Sequence, residues 1–170
     1  MVPKPATIYG VNVGLDDPIF VNYDQSLSQL LRNDSFAPLP YGAAEPLPPP
    51  RGRAQIVPRL FKFEEFRIID PSEEEMRKNG HIPADAWMLV AFARRFPDFQ
   101  CSNPVLASGT VLKVDDMLGP LIPCIRTTNF FDPPVLGRPK KKIRKYRTFE
   151  WLPRQWGFEP RYYYLCYEEG

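Results

Sequence analysis

Histidine is almost missing from this chain. The one imidazole, His81, sits in Gly80-His-Ile-Pro83 with no cysteine or acid at metal-ligand spacing, so it reads as a turn or helix-start residue rather than a ligand or base. Paired cysteines are missing as well. Cys101, Cys124 and Cys166 are odd in number and form no C-x-x-C, which predicts reduced thiols in a cytosol-like compartment rather than a disulfide framework. There is no Walker loop, no G-x-S-x-G elbow, no dinucleotide fingerprint and no complete signature of the common RNA-binding folds. No apolar run approaches the roughly 18 residues of a membrane span, and the opening Met-Val-Pro-Lys-Pro-Ala-Thr-Ile has no apolar h-region. These absences predict a non-catalytic protein with no cofactor and no membrane contact, cytoplasmic or held within an assembled particle.

Proline and aromatic residues are abundant instead. A chain of 170 residues is long enough for one domain without a staple, and 44% hydrophobic with 14% aromatic is too rich for wholesale disorder. Yet 21 prolines are more than double the usual share, which predicts a folded core with stiff, irregular appendages. Six prolines fall within residues 37–53, which can be neither helix nor central strand and are expected to be extended, largely polyproline II. This divides the chain into an N-terminal arm with a short helix (1–36), a Pro-rich linker (37–53) and a main body (54–170).

Elsewhere the pattern predicts an α+β fold: a small, mainly antiparallel sheet packed with one buried helix and short accessory helices, with Pro-rich extended arms. Thr7 to Val13 and Ile19 to Tyr23 read as short strands or extended arms, and Asp24 as the cap of a helix from Gln25 to Arg32 with Leu27, Leu30 and Leu31 on one face. Gln55 to Phe63 and Phe66 to Asp70 read as strands, with Pro58 demoting the first to an edge position or a bulge. Asp70-Pro71-Ser72-Glu73 opens a helix that closes at Asn79-Gly80. The buried helix is expected at once afterwards, from Pro83 to Phe96, apolar almost all round and stopped by Pro97, so that the two helices form a tightly connected pair. Val105 to Val114 reads as a hairpin or bulged strand around Gly109, and Leu121 to Arg126 as a short strand broken by Pro123. Tyr162-Tyr-Tyr-Leu-Cys-Tyr167 reads as a strand with aromatic residues on both faces, central in its own sheet or added to a neighbour's.

The densest functional signal is Arg138, Lys140, Lys141, Lys142, Arg144, Lys145 and Arg147, seven cations within ten residues. Taking them from the formal net charge of +2 leaves −5 on the rest of the chain. One basic patch on a mildly acidic body is the distribution of a protein that meets a polyanion at one place, and each phosphate contact releases condensed counterions. Nucleic acid is the natural partner; an acidic protein surface, an import-like signal and a solvated basic loop are the alternatives. Tyr146, Phe149 and Trp151 follow the run, available either for stacking on unpaired bases or for the core.

Gly137-Arg-Pro139 and Pro50-Arg-Gly-Arg53 each resemble a fragment of the AT-hook, a short minor-groove binder, without its complete Pro-Arg-Gly-Arg-Pro. Pro46, Pro49 and Arg51 are placed as in the P-x-x-P-x-R ligands of Src-homology-3 type domains, which makes them candidate partner contacts together with Tyr162 and Tyr164 of the terminal strand. Carboxylates cluster at Glu64-Glu65, Glu73-Glu74-Glu75 and Asp115-Asp116. The last is the pair best placed for a metal if the protein is a metal-dependent enzyme, although helix dipoles and turns account for all three. The combined expectation is a non-catalytic structural or assembly subunit of a large complex, virion-like or ribonucleoprotein-like, whose partners are other protein subunits and, through the basic segment, nucleic acid. A free-standing nucleic-acid-binding protein is the alternative, and a metal-dependent enzyme the third.

Overall fold

The computed structural model describes residues 7–8, 17–33, 36, 46, 52–101, 103–113, 119–131 and 143–168, with the backbone alone for 7–8, 128–131 and 143–146. In chain order these form β1 (Thr7–Ile8), β2 (Ile19–Asn22), α1 (Leu27–Asn33), β3 (Arg53–Ile56), β4 (Pro58–Lys62), β5 (Arg67–Ile68), α2 (Ile69–Lys78), β6 (His81–Pro83) and α3 (Ala86–Arg95). A 3-10 turn at Phe99–Cys101 follows, then β7 (Val105–Leu106), β8 (Leu121–Phe131), β9 (Ile143–Pro153), β10 (Gly157–Phe158) and β11 (Tyr163–Glu168). The class is α+β. The main sheet is mixed, in the order β1-β4-β11-β7-β8-β9 with β6 also paired to β11, and β7–β11 is its parallel pair. β2–β3 and β5–β10 are separate antiparallel pairs.

β11 is the centre of the sheet, and its sequence explains why. Alternate residues of a strand face opposite sides. Tyr163 and Leu165 enter one hydrophobic cluster, with α1, β2 and α3; Tyr164 and Cys166 enter a second, with Phe61, Phe63, Ile69, Met76, Ile122 and Phe158. Only a strand apolar on both faces can serve two cores, and it pairs with β4, β6 and β7.

α3 buries Ala86, Trp87, Met88, Leu89, Val90, Phe92 and Ala93 in the first cluster. It begins at Ala86, not at Pro83. Asp85 is its N-cap, accepting from the Met88 amide at 2.9 Å, while Pro83 lies in β6 opposite Cys166. Sheet pairing therefore takes residues 81–83 and separates the two helices expected to be joined directly; His81 is a buried strand residue rather than a turn residue. α2 starts at Ile69, with Asp70 inside its first turn instead of capping it, and ends at Asn79 with Gly80 at φ 78°. α1 is capped by Ser26, not Asp24. The Gln29 amide donates to Ser26 Oγ at 3.2 Å and the Ser26 amide to Gln29 Oε1 at 3.0 Å, a reciprocal capping box.

Ile19, Val21, Tyr23, Leu27, Leu30, Leu31 and Phe36 belong to the same cluster as α3, so the short helix docks on the chain's own core. Two further expectations change. Pro58 is the first residue of β4, which lies inside the sheet between β1 and β11. β8 runs unbroken through Pro123, which pairs opposite Trp151 and still offers its carbonyl to the Ala107 amide at 3.1 Å. Most of 37–53 lies outside the described residues.

Candidate nucleic-acid interface

β8 and β9 form a two-stranded antiparallel ribbon in continuous register from Leu121↔Pro153 to Phe131↔Ile143. Its root is fixed from both sides: Leu121, Ile125, Phe149 and Trp151 enter the first cluster, Ile122 and Cys124 the second. Phe149 and Trp151 meet edge to face at 5.5 Å, so both aromatic rings serve the core and not base stacking. Across the ribbon Arg126 pairs with Glu150 at 2.8 Å, and Thr148 Oγ1 donates to the Arg126 carbonyl at 3.1 Å. Burial works against the Arg126 charge, but the Glu150 hydrogen bond and charge outweigh it and hold the guanidinium above its ordinary value.

At the end of β9, Arg154 clamps the ribbon to α2, reaching Asp70 at 2.8 Å and both carboxylate oxygens of Glu73 at 3.0 Å. The Glu73 hydrogen bond is the foremost cause that raises the Arg154 pKa. The remaining carboxylates of that helix are also matched to cations, Glu75 to Arg67 at 3.2 Å and Glu74 to Lys78 at 2.8 Å. Among the described residues no three of His, Cys, Asp and Glu converge as a metal's ligands would; Asp115 and Asp116 lie outside them.

Toward the opposite end of the ribbon Arg144 and Lys145 are in β9, in register with Phe130 and Asn129, whereas Arg138, Lys140, Lys141 and Lys142 lie outside the described residues. Arg147 stands apart from the other six. It is half-buried, its guanidinium lies 4.7 Å from the centre of the Phe36 ring, and Nη1 donates to the Ala93 carbonyl at 3.2 Å, so it ties the ribbon to α3.

Tyr162 and Tyr164, expected to face a partner, are buried in the second cluster, edge to face with Phe158 at 5.2 Å and Phe63 at 5.1 Å. Pro46 borders a cleft of about 610 Å³ with Ile82, Pro83, Val111 and Tyr167, while Pro49 and Arg51 lie outside the described residues. The large apolar side chains that do reach solvent are others, Phe20, Phe66, Ile68 and Trp156 foremost. Sequence carried one signal for the middle pair: Phe66 and Ile68 alternate with Arg67 and follow Glu64-Glu65, a polar edge rather than a core strand. Among the described residues no helix is long and apolar enough to cross a membrane. No protein-family model, no curated protein and no solved structure matches the chain.

Proposed function

We propose that this chain is a non-catalytic structural or assembly subunit of a large complex, virion-like or ribonucleoprotein-like, whose basic ribbon end contacts nucleic acid or an acidic partner surface. The observation that supports the reading is that Arg144 and Lys145 are paired toward the far end of a long ribbon whose root is locked in both cores. A cluster of like charge repels itself, and projecting it from the body lets a polyanion neutralise it without desolvating the fold. In this reading the buried α3 anchors a rigid body, and the Pro-rich residues 37–53, with Pro46, Pro49 and Arg51, form an extended arm against neighbouring subunits, in the cytoplasm or within the particle.

The two-stranded form of the carrier also supports a second reading, a free-standing nucleic-acid-binding protein, since the major groove of duplex DNA admits a β-ribbon. Solution mass separates the two. Light scattering at moderate and high salt, with absorbance at 260 nm, is expected to show a defined oligomer. A nucleic-acid-loaded monomer that strips at high salt would favour the second reading, and a bare monomer with no affinity for any polyanion would sink both.

A further inference from the structure

We infer that the cleft bordered by the end of α2, β6 and residues 109–113 is a binding site for a small organic anion, a flat apolar body that carries a carboxylate or phosphate head. The inference does not rest on the assembly reading and uses none of the cationic run. The cleft holds about 610 Å³, inside the range of about 300–1,000 Å³ that small-molecule sites occupy.

Its walls are fixed backbone. Ile82 of β6 stands opposite Tyr167 of β11, and Tyr167 packs against the margin of the first hydrophobic cluster. The segment from Gly109 to Lys113 is tied down at three points: the Gly109 amide donates to the Ala84 carbonyl at 2.8 Å, the Ala86 amide to Thr110 Oγ1 at 2.9 Å, and the Leu112 amide to the Leu121 carbonyl at 2.8 Å. A cleft held in this way is formed before a ligand arrives. Ile82, Pro83, Val111, Leu112 and the Tyr167 ring make much of its lining apolar.

The polar groups set the charge of the occupant. Asp85 is the one acid in the lining, and its carboxylate already accepts from the Met88 amide and the Tyr23 hydroxyl. Arg77, in the last turn of α2, Lys113 and the Tyr167 hydroxyl line the same cleft, and among the described residues none of their side chains has a partner. Elsewhere Arg67, Arg95, Arg126 and Arg154 are each matched to a carboxylate. Two unmatched cations and a free hydroxyl around an apolar cleft complement an anionic head, which a guanidinium can hold through two parallel N–H bonds. The walls require the body. A bare anion leaves them wet, and an uncharged ring leaves the cations unmatched.

The test titrates the full chain, stripped of nucleic acid at high salt, with naphthyl phosphate and with naphthoate by calorimetry. Naphthol supplies the body without the head, and inorganic phosphate the head without the body. One-to-one binding of at least one naphthyl anion is expected, about tenfold or more tighter than naphthol or inorganic phosphate, and the tighter of the two identifies the head. Arg77→Gln with Lys113→Gln, both at exposed positions, is expected to weaken that binding about tenfold or more at unchanged circular dichroism. Val111→Asp, which sets a carboxylate on an exposed part of the wall, is expected to weaken it by a similar factor. Lys78→Gln removes a cation that pairs with Glu74 and does not line the cleft, and is expected to leave affinity unchanged. Failure of both naphthyl anions to bind overturns the inference. Binding that survives Arg77→Gln with Lys113→Gln, or that Lys78→Gln weakens equally, overturns it too, because net charge alone then holds the anion. Naphthol that binds as tightly as its phosphate overturns the anionic head, and with it the inference.

Discussion

Asp85 serves two donors with one carboxylate, the Met88 amide at the start of α3 and the Tyr23 hydroxyl at 2.8 Å, and so joins the helix cap to β2. Asp85→Ala removes the cap and the long-range bond together, and an unfolding free energy lower by about 2–3 kcal/mol is expected in urea titration. Asp85→Asn is expected to recover part of that. The cysteines differ by burial: Cys101 is exposed, whereas Cys124 and Cys166 are enclosed and burial pushes both thiols above their usual range. One of three thiols is therefore expected to react with an aromatic disulfide reagent in the native state, and all three after denaturation. Tyr164 adds a pH dependence, because burial pushes its phenol from 10.0 up to about 12. The unfolded chain gives up that proton first. The stability contribution is complete below about pH 10 and lost as pH rises through about 12, up to about 2–3 kcal/mol. Denaturant midpoints from pH 9 to 12 are expected to fall, less steeply in Tyr164→Phe.

At the scale of elements, two local devices that the pattern left unread hold the architecture. The capping box of α1 spans Ser26-Leu-Ser-Gln29, and Ser26→Ala is expected to cost about 1 kcal/mol, read as a lower urea midpoint at unchanged slope. The loop after β7 is clamped onto the end of β6. The Gly109 amide donates to the Ala84 carbonyl at 2.8 Å, and a Cβ at 109 would stand 2.5 Å from the Pro83 carbonyl and 2.7 Å from that of Ala84. Gly109→Ala must push two backbone strands apart, and a loss of roughly 1–3 kcal/mol in thermal unfolding is expected. Here glycine is required by close approach.

For the molecule as a whole, charge and core are segregated along one ribbon. Arg154 fixes the root to α2 and Arg147 fixes its middle to α3. Removing Arg154 is expected to destabilise the fold, whereas neutralising Lys140, Lys141 and Lys142 is expected to leave the unfolding midpoint within about 0.5 kcal/mol of the parent. The same triple change is expected to lower polyanion affinity and flatten its dependence on salt, measured by binding titrations from low to high ionic strength.

What the chain determines by itself is everything that local chemistry can decide: an α+β class, an apolar α3 ending before Pro97, an α2 ending at Asn79-Gly80, and a terminal strand apolar on both faces. Tertiary structure decides what local rules leave open. Pro83 satisfies the rule for a first helical turn, yet β11 captures it as a strand residue because Cys166 pairs opposite it. Pro123 satisfies the rule for a strand break, yet β9 holds β8 continuous across it. Tyr164 and Trp156 look alike as aromatic residues of one rich stretch, but the first is enclosed by the second core and the second stands in solvent. Periodicity and capping act over a few residues, whereas strand partners and burial depend on segments far away in the chain, as Tyr167 pairs with Pro58, and only the folded chain brings those together.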